Sequence, residues 1–164
     1  MSKVIELEIA GMGIIFYSPW AVEHIQPNSD YLSSHFSDAT EVGNQVCACS
    51  LTGFCTGSSG IFKLHLSTES VDEVALQATE FKIALGLEVR EKTVCFRDLY
   101  DLMKWEEKCP EKQTFSLENG FYHITAHTST PQSGLLGDGQ VIHLCFRLVP
   151  ERPELTWQGV PQLC

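Results

Sequence analysis

The stretch "SLENGFYHITAHTSTPQSGLLGDGQVIHLCFRLVP", residues 116–150, contains two runs that alternate apolar and polar residues around a long polar connection. A period of two residues is typical of half-buried strands, because successive side chains point to opposite faces of a sheet. The apolar face carries Tyr122, Ile124 and Ala126 in the first run and Ile142, Leu144, Phe146 and Leu148 in the second. The stretch therefore predicts an antiparallel β-hairpin with one face on the core.

The opposite face of this hairpin carries His123, Thr125, His127, His143, Cys145 and Arg147. Antiparallel pairing can bring His127 near His143 or His123 near Cys145, and the long connection leaves the register open. Zinc needs three or four converging ligands, and Arg147 on the same face would repel a cation. We therefore expect a plain sheet surface with no metal. A metal-dependent β-sandwich enzyme that uses His123, His127 and His143 is the alternative.

Strand-like alternation recurs along the chain, in "KVIELEIA" (3–10), "IIFYSP" (14–19), "IFKLHLS" (61–67) and "KTVCFRD" (92–98). A further strand is expected from about Val74 to Val89, broken or bulged near Gly86, on its β-branched and aromatic content. The alternative is a helix at the start of this segment, since Ser70 is a possible N-cap with Glu73 three residues on. Residues 21–60 are polar and irregular, and they predict loops around one short strand near Val46 to Leu51.

One segment has helical periodicity. In "RDLYDLMKWEEK", residues 97–108, apolar residues follow the i, i+3, i+4 spacing before Pro110 ends the run. The chain thus predicts a mainly β fold, an antiparallel β-sandwich with one short helix. Its 164 residues suit a single globular domain over 1–164.

Charge limits the range of partners. With 21 acidic and 11 basic side chains the formal charge is −10, which disfavours binding to nucleic acid and to anionic membranes. It favours a basic protein partner, although net negative charge also serves solubility alone. Glu6 and Glu8 interrupt the first apolar stretch, so no signal peptide or membrane span is expected and the protein should be cytoplasmic.

Seven cysteines are present, an odd number, and we expect reduced thiols. Cys47, Cys49 and Cys55 form a C-x-C-x5-C cluster that lacks the paired C-x2-C spacing typical of zinc sites, and its role stays open. No nucleophile motif, phosphate-binding loop or dinucleotide fingerprint occurs in the chain. We therefore expect no enzyme, no catalytic residue and no cofactor.

Four stretches together resemble a known class of proteins. They are "VIELEIAGMGIIFYSP" (4–19), "ATEFKIALGLEVREKTVCFRDL" (78–99), "LENGFYHITAHT" (117–128) and "IHLCFRLVPERPELTW" (142–157). Their layout resembles the small β-rich immunity proteins of bacterial toxin systems, including the competence-protein-J type of nuclease inhibitor. The resemblance implies a protein that binds and neutralises a cognate toxin by protein–protein interaction, and many such toxins are nucleases with basic grooves.

An inhibitor of this kind would present acidic side chains to the toxin. The residues predicted to bind the partner are Asp98, Asp101, Trp105, Glu106 and Glu107 in one run and Glu69, Asp72 and Glu73 in another. Further aromatic candidates are Trp20, Tyr31 and Trp157, since Trp and Tyr are enriched at binding hot spots, although each suits the core equally well. A non-catalytic ligand-binding module is the remaining alternative.

Overall fold

The computed structural model describes residues 1–155 and 158–164, and it contains two packed β-sheets. The strands are β1 (Ser2–Ile9), β2 (Gly13–Tyr17), β3 (Thr52–Cys55), β4 (Gly60–Ser67), β5 (Phe81–Val89), β6 (Thr93–Asp98), β7 (Thr114–Ser116), β8 (Gly120–Thr128) and β9 (Asp138–Val149). One sheet has the order β1-β4-β9-β8-β5 and the other β3-β2-β6-β7. Strands β4 and β9 run parallel, and the other paired strands of the described chain run antiparallel. The predicted β-sandwich class is confirmed.

The predicted hairpin is formed by β8 and β9. Its register pairs His127 with His143 and Thr125 with Cys145, so the apolar face of each strand points into the core. Leu148 is the exception, because it is 58% exposed near the end of β9 whereas Phe146 is 1% exposed. The prediction that Leu148 belongs to the apolar core face was therefore wrong.

Aromatic rings connect the two sheets across the core. Phe16 of β2 stacks on Phe96 of β6 with 5.4 Å between ring centroids. Phe96 in turn meets Phe146 of β9 edge to face at 6.5 Å, and Phe115 and Tyr122 pack around Phe146. Such tilted and edge-on contacts are favourable beyond the apolar area they bury. These rings fix how the four-stranded sheet lies on the five-stranded one.

The helices differ from the prediction of a single helix in residues 97–108. Leu99–Met103 forms a 3-10 turn, as do Pro19–Val22 and Glu111–Gln113. Three short α-helices lie elsewhere, α1 (Tyr31–His35), α2 (Ala39–Cys47) and α3 (Glu73–Gln77). Within the described residues, none of the helices is both long and apolar enough to cross a membrane.

Aspartate caps explain where these helices begin. The side chains of Asp30, Asp38 and Asp72 accept hydrogen bonds from backbone N–H groups of the first turns of α1, α2 and α3. The strand expected near Val46 to Leu51 is therefore wrong, because α2 extends to Cys47 and β3 begins only at Thr52.

The strand expected from Val74 begins only at Phe81. Asp72 caps α3, so the first residues of the expected strand are helical. Gly86 does not break β5, which runs without interruption to Val89. A Cβ atom at Gly86 would come within 2.7 Å of the Cys49 sulfur and 3.2 Å of Leu155. The glycine marks a close approach of the chain over β5.

Candidate functional site

Three histidines form a row on the outward face of the five-stranded sheet. The register places His65 of β4 beside His143 of β9, and His143 beside His127 of β8. The ring centroids are 5.2 Å apart in the first pair and 4.7 Å in the second, where the planes differ by only 15°. We call His65, His143 and His127 the histidine row.

His127 is held in one tautomer by its neighbour. Its Nδ1 lies 3.1 Å from the Thr79 hydroxyl oxygen, and that hydroxyl donates to the Ala75 carbonyl at 2.8 Å. Because a hydroxyl has one proton, Thr79 accepts from Nδ1–H and leaves Nε2 of the neutral ring unprotonated. Burial lowers the pKa of His127, and burial together with the two neighbouring rings lowers the pKa of His143. The lowered pKa values favour the neutral imidazole at His127 and His143.

The alternative metal site required His123, His127 and His143 to converge. His123 pairs with Arg147 instead, four residues along the ladder from the pair of His127 and His143. Nowhere in residues 1–155 and 158–164 do three or more His, Cys, Asp or Glu side chains form a group that could hold a metal ion. His65 completes the row. The alternation in "IFKLHLS" predicted that His65 lies on the outward face, but the sequence did not indicate that β4 pairs in parallel with β9.

A second feature lies on the outward face of the four-stranded sheet. A cavity of about 470 Å³ has a floor that includes Tyr17, Ile25 and Trp105, all of them buried. Its rim carries three exposed carboxylates, Glu23, Glu91 and Glu107. The lining residues that the structure describes include no Lys, Arg or His. We call this feature the acidic cavity.

Arg97 holds the wall of the acidic cavity in place. Its Nε donates to Asp101 at 3.0 Å, and its Nη1 donates to the Glu106 carbonyl at 2.6 Å and to the Tyr17 hydroxyl at 3.4 Å. The guanidinium also lies 4.6 Å from the ring centroid of Trp105. Arg97 itself is 5% exposed. These contacts fold residues 99–106 back onto β6.

The first acidic run thus divides into structural and free residues. The Asp98 carboxylate accepts from the backbone N–H groups of Ala10 (2.8 Å), Gly11 (3.1 Å) and Tyr100 (3.0 Å). Asp101 is paired with Arg97, and Trp105 is 1% exposed and belongs to the core. Glu106 and Glu107 have exposed side chains, and Glu107 lies on the rim of the acidic cavity.

The second run divides in the same way. Asp72 caps α3 through the N–H groups of Val74 and Ala75, while Glu69 and Glu73 are exposed.

The other predicted aromatic anchors are largely enclosed. Trp20 is partly buried, with its indole N–H donating to the Glu88 carbonyl and the Arg90 guanidinium 4.1 Å from its ring. Tyr31 is 7% exposed. Trp157 lies outside the described residues.

Sequence reasoning missed two residues of the rim. Glu91 lies in the tight turn between β5 and β6, where both it and Lys92 have positive φ, and Glu23 follows the 3-10 turn Pro19–Val22. Neither belongs to a run of acidic residues, so only the folded chain brings them beside Glu107.

The architecture defines a two-sheet β-sandwich with one parallel strand pair in its larger sheet. No protein-family model and no curated protein matches the chain. Among solved structures it is similar to ComJ from Bacillus subtilis, described as an inhibitor of the DNA-degrading activity of NucA. Identity is 18%, the TM-score is 0.51, and the match covers 91% of this chain and 98% of ComJ.

A second similar structure is the crocagin biosynthetic gene J product. Identity is 12%, the TM-score is 0.55, and the match covers 88% of this chain and 97% of the other. Likeness at these identities shows a shared fold. The resemblance to proteins of the competence-protein-J type is therefore confirmed at the level of fold.

Proposed function

We propose that this chain is an inhibitor that binds a basic protein toxin, such as a nuclease, and blocks it without catalysis of its own. The observation that carries the proposal is the fold shared with ComJ over nine-tenths of the chain. The formal charge of −10 supports it, because an acidic inhibitor complements the basic groove in which a nuclease holds DNA. The proposal makes the chain a bacterial immunity protein of the cytoplasm.

The acidic cavity is the proposed contact surface. A Lys or Arg side chain of the partner would lay its aliphatic stem on the apolar floor and direct its charge to Glu23, Glu91 and Glu107. Such a contact imitates the phosphates that the same side chain binds in DNA. Of the residues predicted from the sequence, Glu107 lies on the rim of this surface and Trp105 in its floor, and Glu106 is exposed next to Glu107. Asp98 and Asp101 instead bind the backbone of Ala10 and the Arg97 guanidinium.

The second predicted patch, Glu69 and Glu73 beside the Asp72 cap of α3, is the competing contact surface. Its side chains are exposed, and a cavity of about 500 Å³ lies beside α3, lined by Ala75, Thr79 and His127 among others. The described lining of that cavity includes no Asp or Glu, so it lacks the carboxylates that the acidic cavity offers. Charge reversal at Glu69 and Glu73 distinguishes the two surfaces, because only the surface in contact with the partner should respond.

The test is an inhibition assay with DNA as substrate. The full chain is titrated into NucA and into any nuclease encoded beside its gene, and the inhibition constant is measured. Glu23→Gln with Glu107→Gln should weaken inhibition about tenfold or more, since buried interfacial charges carry roughly 2–5 kcal/mol each when one partner is removed.

The matched control is Glu6→Gln with Glu8→Gln, which removes the same charge from the exposed face of β1. It should leave inhibition within about twofold, as expected of charges outside a contact. Absence of binding to every nuclease tested would contradict the proposed function. Equal effects of the two double variants would contradict the proposed surface alone.

A further inference from the structure

Two of the seven free cysteines lie together in the wall of the acidic cavity. Cys95 is in β6 and is 5% exposed, whereas Cys109 is half-buried in the loop between Leu99–Met103 and Glu111–Gln113. Both residues line the cavity, and each thiol lies near enough to the other to shift its pKa. Of the two, Cys109 is the thiol that a small molecule in the cavity can reach.

The loop that carries Cys109 is attached to β6 on both sides. On the N-terminal side of the loop, the Arg97 guanidinium donates to the Glu106 carbonyl. After it, the Gln113 side-chain amide donates to the Phe96 carbonyl at 2.8 Å. The residues on both sides of Cys109 are therefore held against β6, the strand that contains Cys95.

The surroundings of the two thiols differ. Cys109 is half-buried and its thiol donates to the Pro110 carbonyl at 3.6 Å, whereas Cys95 is only 5% exposed. Cys109 is therefore the thiol that a molecule in the cavity meets first. The neighbouring Cys95 thiol, with help from the Arg97 guanidinium, lowers the pKa of the Cys109 thiol against the effect of burial. The neighbouring Cys109 thiol and burial raise the pKa of Cys95.

Other cysteines lack this environment. Burial raises the pKa of Cys49 to about 11, and burial also raises the pKa of Cys55 and of Cys145. A buried thiol in apolar surroundings is poorly reactive because the thiolate is the nucleophile.

We propose that Cys95 and Cys109 are a redox pair, in which Cys109 attacks a small disulfide of the glutathione class and Cys95 then closes an intramolecular disulfide. In the first step the Cys109 thiolate bonds to one sulfur of the small disulfide, and the other sulfur leaves as a thiolate. In the second step Cys95 gives its proton to water and attacks the Cys109 sulfur, and the second small thiolate leaves. Two protein thiols are oxidised and one small disulfide is reduced to two thiols.

This pair does not depend on the proposed inhibitor function, and its test uses the isolated full chain. The unmodified protein is exposed to glutathione disulfide at neutral pH, quenched with N-ethylmaleimide at intervals, digested and analysed by mass spectrometry. A peptide pair linked through Cys95 and Cys109 should accumulate before oxidation of Cys145. Short labelling of the reduced protein should modify Cys109 about tenfold faster than Cys145, as a thiolate-stabilising site predicts.

Two variants separate the roles of the thiols. Cys95→Ala should stop at a single glutathione adduct on Cys109, and Cys109→Ala should leave Cys95 reduced because it is buried. Cys145→Ala is the matched control and should form the linked pair at the unchanged rate. The proposal is overturned if Cys95 and Cys109 of the unmodified chain both stay reduced while Cys145 is oxidised, a result that needs no variant to fold.

Discussion

His127 and His143 face each other across the β8–β9 ladder with their rings stacked 4.7 Å apart and nearly parallel. The contact follows directly from the register, which places both side chains on the outward face at the same level. His127 is also almost fully buried there and bonded to Thr79. The histidine face of the hairpin is thus a packed surface in which one ring has a structural role.

Replacement of His127 by Ala should therefore destabilise the fold. The variant loses a buried ring and the hydrogen bond to Thr79, which together predict a loss of about 1–3 kcal/mol in the free energy of unfolding. The matched control is His123→Ala on the same strand, which is half-buried opposite Arg147 and should cost about 1 kcal/mol or less. Urea denaturation measures both, and equal losses would contradict a special role for His127.

Low pH should destabilise the fold through three histidines of the β8–β9 hairpin. The pKa values of His123, His127 and His143 are lowered in the folded chain, mainly by burial, whereas in the unfolded chain they lie near about 6.5. Below that pH the unfolded chain binds more protons than the folded chain. The free energy of unfolding should therefore stay level above about pH 7 and fall as the pH drops below about 6.5.

Urea midpoints at pH 7.5 and pH 5.5 test this dependence. In the double variant His127→Gln with His143→Gln the difference between the two midpoints should shrink, because the two groups no longer titrate. An unchanged difference in the double variant would assign the acid sensitivity to other residues.

The hairpin was predictable because its signal is local, an alternation of residues within each strand. The histidine row was predictable only in part, since His65 joins it through a parallel pairing between strands more than 70 residues apart in sequence. The helices α1 and α2 were missed because Asp30 and Asp38, which cap them, are also typical of loops. Of the cavity rim, Glu107 was predicted from a run of charge, while Glu23 and Glu91 required the folded chain.

Arg97 should contribute strongly to the stability of the fold, because it holds the wall of the acidic cavity in place. Arg97→Met would leave the Glu106 carbonyl without its donor and the partly exposed Asp101 carboxylate without its partner, so we expect a loss of about 2–3 kcal/mol in stability. Arg90→Met is the matched control, since Arg90 also pairs with a carboxylate and lies over a tryptophan but has a side chain that is 55% exposed. Its loss should be about 1 kcal/mol or less. Urea unfolding of both variants would contradict this expectation if the two losses were equal.

The last prediction concerns the rate at which the chain meets its proposed partner. With a formal charge of −10, attraction to a basic nuclease should speed association by roughly 10-fold to 1000-fold at low salt. Salt shortens the Debye length from about 10 Å at 0.1 M to about 3 Å at 1 M, so the association rate should fall steeply while dissociation changes less. Stopped-flow fluorescence with the target nuclease measures both rates.

Charge reversal locates the surface that produces this effect. Glu23→Lys with Glu107→Lys should lower the association rate about tenfold at low salt and flatten its salt dependence. Glu69→Lys with Glu73→Lys changes the net charge equally but lies on the competing patch, and it should cause a smaller reduction. Asp98 and Asp101 are left intact because Asp98 binds the backbone of Ala10 and Asp101 binds Arg97. Reversing their charge could lower the association rate by destabilising the fold and not by removing electrostatic attraction. An association rate that is unchanged by salt and by both charge reversals would contradict a role for electrostatic attraction in the proposed mechanism.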